Sequence, residues 1–240
     1  MPRAAHLLVA EWPFAEMTTI GRATYCALGG TESHLGLYFE ECTASEVMQL
    51  SQPGRHEPHR FAENPRDVTF DFHEDLFPRF QSILNERYWT PACRIRLYRL
   101  ENVDAALLFQ YSVRVCDLKP KNKEGYRLNA LCGGCWCCAC ANDGVPQIQA
   151  STCVALTLRL IACAKAQSLL PLTDDAAAFA ALGIGRATWL RPTLPRRLLG
   201  FTPRSALEAL LGRSAIRLAP FVVGFARVRH APVALVLKRS

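Results

Sequence analysis

Apolar residues recur along the chain with two different spacings, and each change of spacing marks a new element. The run from Leu35 to Phe39 suits a short strand, and Ala44 to Leu50, following Thr43, suits a helical turn. Ser51 to Arg60 is polar and rich in turn formers, so it reads as a linker or long loop. Leu76, Phe80, Ile83, Leu84 and Tyr88 share one face of a 3.6-residue repeat. An amphipathic helix is therefore expected over Asp75 to Arg87, with Pro78 tolerated in its first turn.

From Cys93 to Leu100 the chain alternates Ile95 and Leu97 with Arg94, Arg96 and Arg99, the pattern of a strand with one wet face. Asn102 is placed to cap a helix whose apolar face would carry Val103, Ala106, Leu107, Gln110, Tyr111 and Val113 or Arg114. Cys153 to Ala166 is almost wholly apolar, and spacing alone leaves it as strand or buried helix. Thr173 opens an alanine-rich helical stretch, and Ser205 with Glu208 forms a capping box. The chain closes on two apolar runs, Ala215 to Val228 and Val233 to Leu237, expected to pair as a hairpin.

Composition narrows the class. Half the residues are apolar, enough for a buried core. No stretch approaches the length of a membrane span, and the run from His6 to Ala10 is too short for a signal-peptide core. An intracellular protein, nuclear or cytoplasmic and with no membrane partner, is the expectation. The net charge of +7 is unevenly placed. Residues 186–240 hold ten arginines, one lysine and a single acid, Glu208, for a net of +10, which leaves the preceding residues at −3. Arg191, Arg196 and Arg197 in a proline-held loop, with Arg227 and Arg229 near the last strands, are candidate contacts for nucleic acid or an acidic protein partner.

The 11 cysteines are an odd number, which argues for free thiols over a disulfide framework. Cys132, Cys135, Cys138 and Cys140 lie in one block of overlapping C-x2-C pairs that could bring thiolates to a zinc ion. Cys116 and Cys153 are the nearest candidates for additional ligands, and zinc is the one cofactor these residues suggest. The alternative is that the block's small residues line a buried strand.

The strand from Cys93, with Arg99 and Asn102 spaced before Leu107 or Leu108 and Tyr111, resembles the opening of the catalytic fold of poly(ADP-ribose) polymerases and related ADP-ribosyltransferases. The closing runs Pro220 to Phe225 and Pro232 to Leu237 resemble that family's last strand pair. The resemblance implies an α+β fold of split small antiparallel sheets with flanking helices over residues 66–240, preceded by an extension or small subdomain at 1–65. Family members hold their dinucleotide with histidine, tyrosine and, often, glutamate. At the matching places this chain has Cys132 or Gly133, Leu160, and Ala219 or Pro220. None can polarise a ribose hydroxyl as a carboxylate would.

The resemblance therefore implies a catalytically silent binding or scaffold protein, with no catalytic residues and no small-molecule substrate. An active mono-ADP-ribosyltransferase with an atypical site, or a zinc-dependent nucleic-acid-binding protein, is the alternative. The zinc alternative requires about one equivalent of metal per purified chain, and less than about half an equivalent in metal analysis removes it.

Overall fold

The structure, a computed structural model, describes residues 1–11, 22, 32–53, 61, 66–71, 78–82, 94–117, 153–167, 180–183, 206–207, 210, 218–223 and 237–239. In chain order these form β1 (Ala4–Glu11), β2 (Glu32–Thr43), α1 (Ala44–Leu50), β3 (Arg66–Asp71), β4 (Arg79–Ser82), β5 (Arg94–Leu100), α2 (Ala105–Asp117), α3 (Cys153–Ala166), β6 (Leu218–Val223) and β7 (Leu237–Arg239). The strands make one seven-stranded sheet in the order β4-β3-β2-β1-β5-β6-β7, with every pair antiparallel. The protein is α+β, as expected. The described strands form one continuous sheet, where the resemblance implied a split pair. The boundary expected near residue 65 falls between β2 and β3, which pair directly.

Strand alternation sorts the central side chains onto two faces. Ala5, Leu7 and Val9 of β1, Leu35, Leu37 and Phe39 of β2, and Tyr98 and Leu100 of β5 join a core shared with α2 and α3. Leu8, Ala10, Ile95, Leu97 and Tyr38 point to the opposite face and are also buried. Burial on both faces explains why β1 reads as a near-continuous apolar run instead of an alternating one.

The helix expected over Asp75 to Arg87 is corrected at residues 79–82, which form β4. Phe70 pairs with Phe80 across β3 and β4, and Val68 pairs with Ser82. The Phe80 ring lies 5.4 Å from Phe70 and 5.4 Å from Phe109 of α2, both edge-on, and 5.9 Å from Phe39. A strand presents Phe80 to this cluster while its backbone groups pair with β3, and that pairing overrides the helical spacing of the apolar residues.

Helix α1 starts where the sequence placed it. The Thr43 Oγ1 accepts a hydrogen bond from the Glu46 N–H at 3.3 Å, and the Glu46 carboxylate accepts from the Thr43 N–H at 2.8 Å, a complete capping box. Immediately before it, Glu41 has φ 59, where the β2–β3 register shifts between Phe39 and Thr43. The left-handed residue turns the strand into the helix.

Helix α2 is capped by Asp104 and not by Asn102. The Asp104 carboxylate accepts from the Leu107 N–H at 3.0 Å, and the Asp104 carbonyl accepts from the Leu108 N–H at 2.9 Å. Its buried residues are Leu108, Phe109, Ser112, Val113, Val115 and Cys116, whereas Gln110 and Arg114 are exposed. The expected face is thus rotated, because Phe109 enters the aromatic cluster, 5.3 Å from Phe39. Ser112 is tolerated in that face because its hydroxyl donates to the Leu108 carbonyl at 2.9 Å.

The ambiguous run at Cys153 forms the 14-residue helix α3, which packs against α2 and β2. Leu156 to Ala164 are all buried, Thr157 and Arg159 included, so this mostly apolar helix is enclosed on every side. No described helix is long and apolar enough to cross a membrane. The closing strands pair antiparallel as expected, but the partner of β6 is Leu237–Arg239, later than Val233 to Leu237. Pro220 faces Tyr98 of β5, and the β7 ladder begins only at Phe221. The missing proline N–H therefore leaves the β6–β7 pairing intact.

Gly36 of β2 lies close against the backbone of β3. A Cβ at this position would stand 2.9 Å from the Phe70 carbonyl oxygen, and backbone cannot swing aside as a flexible side chain can. Gly36→Ala is expected to cost about 1–3 kcal/mol in urea unfolding by forcing β2 and β3 apart. Phe80→Ala is expected to cost about 3–5 kcal/mol in the same measurement, whereas a residue on an exposed helix face would cost far less.

Candidate functional site

His6 is a buried histidine in β1. It pairs with Tyr38 of β2 on one side and Arg99 of β5 on the other. Its parity with Leu8 turns it away from α2 and α3, and only 3% of its surface is exposed. Glu40, two residues beyond Tyr38, shares that face. The His6 Nε2 and Glu40 Oε2 are 3.0 Å apart, and the His6 and Tyr38 ring centroids 5.3 Å. A carboxylate can only accept, so Nε2 carries the proton in this pair.

Burial pushes the His6 pKa down and is the largest influence on it. The hydrogen bond and charge of Glu40 oppose that shift, and the Arg99 guanidinium adds to it. The imidazole is therefore neutral near pH 7 and oriented by a carboxylate, an arrangement that can exchange a proton. Sequence reading passed over both residues. The signal was present in a single histidine within an apolar run, but its partner comes from a strand 34 residues away.

The second feature is a separation of charge across the sheet. β5, β6 and β7 carry Arg94, Arg96, Arg99, Lys238 and Arg239 and no acid. Register places Arg96, Val222 and Lys238 in one row, and Leu97, Phe221 and Arg239 in the next. On the other side of β5, β1 and β2 supply Glu11, Glu40 and Glu41. Arg96 reaches back to an ion pair with Glu11, and Arg3 pairs with Glu41 at 3.1 Å.

The residues singled out from sequence for partner contact, Arg191, Arg196, Arg197, Arg227 and Arg229, lie outside the described residues. So do the candidate metal ligands Cys132, Cys135, Cys138 and Cys140. The supplementary candidates Cys116 and Cys153 are described, as buried cysteines outside any disulfide in the core around α2 and α3. Packing against other apolar groups accounts for their position. Among the described residues no group of three or more histidines, cysteines or acids is placed to hold a metal ion. No family model, curated protein or solved structure matches the chain.

The lowered His6 pKa has a definite sign in stability. The unfolded chain takes up a proton near the ordinary value of 6.5, and the folded chain only at lower pH. His6 therefore favours folding above that value, and its contribution is lost as pH falls from there through the folded pKa. The urea midpoint is expected to drop between about pH 7.5 and about pH 5.5, with a smaller drop in His6→Gln. An equal drop in both proteins would assign the effect to other groups.

Proposed function

We propose that the protein is a non-catalytic binding or scaffold protein that contacts nucleic acid through its basic C-terminal flank. The observation that carries this reading is the run of three adjacent strands, β5 to β7, with five basic residues and no acid. Phosphates respond to clustered cations by releasing condensed counterions, so such a flank attracts a nucleic acid without any sequence-specific contact. Arg191, Arg196, Arg197, Arg227 and Arg229 belong, with Lys238 and Arg239, to the +10 segment and would extend the flank. Charge on an outer strand also discourages edge-to-edge aggregation, but Arg94, Arg96 and Arg99 lie on β5, well inside the sheet.

We include in this reading a catalytically silent ADP-ribosyltransferase-like core. Its support is the motif from Arg99 to Tyr111, which runs from β5 into α2, together with two antiparallel closing strands. The continuous sheet departs from the split pair that the resemblance implies, and the scaffold role does not depend on that fold. Turnover of nicotinamide dinucleotide, abolished by Cys132→Ala, would replace this reading with that of an active transferase.

Binding of a fluorescent single-stranded RNA, followed by anisotropy, tests the flank. Affinity is expected to fall linearly with log salt, and Lys238→Ala with Arg239→Ala to reduce the slope by about 0.7 for each phosphate that the variant no longer neutralises. The pair Arg196→Ala and Arg197→Ala is expected to act in the same direction. Affinity indifferent to salt, or an unchanged slope in both variants, overturns the proposal.

A further inference from the structure

We draw no further inference here: the strongest candidate outside the features already described, the apolar patch that Met48 and Leu50 leave exposed on α1, carries nothing because no contact in the structure shows what covers it.

Discussion

Four phenylalanines from four elements hold the described core together. Phe39, Phe70, Phe80 and Phe109 come from β2, β3, β4 and α2, and their rings meet at centroid distances of 5.3 to 5.9 Å. Three of the four contacts are edge-on, the geometry in which the positive ring edge meets the negative face. The cluster sets the rotation of α2, requires residues 79–82 to be extended, and draws β3 close enough that only glycine fits at position 36. Helix α3 then lies against α2 and β2 and is buried around its circumference. Each of these features follows from where the rings sit.

The opposite face of the sheet obeys a different constraint. It too is buried at β1, β2 and β5, yet it accepts polar groups where a neighbouring strand supplies a partner. His6 has the Glu40 carboxylate, and the buried Thr69 hydroxyl donates to the Gln81 carbonyl at 3.1 Å. These bonds offset the cost of removing the groups from water. They also make the sheet sensitive to protonation, since the His6 imidazole is favoured as the neutral form. On β5, β6 and β7, by contrast, basic residues stand with no acid on the same strands, which is the physical basis of the polyanionic partner proposed above.

Much of the local structure was legible in the residues alone. The turn after Thr43 marked the start of α1, and the structure adds Glu46 as the second half of its capping box. The alternation at Ile95 and Leu97 marked β5, and the two apolar runs near the C-terminus marked an antiparallel pair. Less of the candidate site was legible. The clustering of basic residues is a property of the chain and could be counted. The His6–Glu40 couple could not, because nothing local to either residue selects the other.

By itself, then, the sequence determined the helical turn that follows Thr43, the strand at 94–100 and the basic character of the C-terminal segment. These depend on short-range spacing and on composition. Tertiary structure decided that 79–82 is a strand, that Cys153–Ala166 is a buried helix, that Asp104 caps α2, and that β1 lies between β2 and β5. In each case more than one local arrangement was open, and the choice fell to partners distant in the chain. Phe70 and Phe109 hold Phe80, α2 and β2 enclose α3, and two strands from later in the chain pair with β1 along both of its edges.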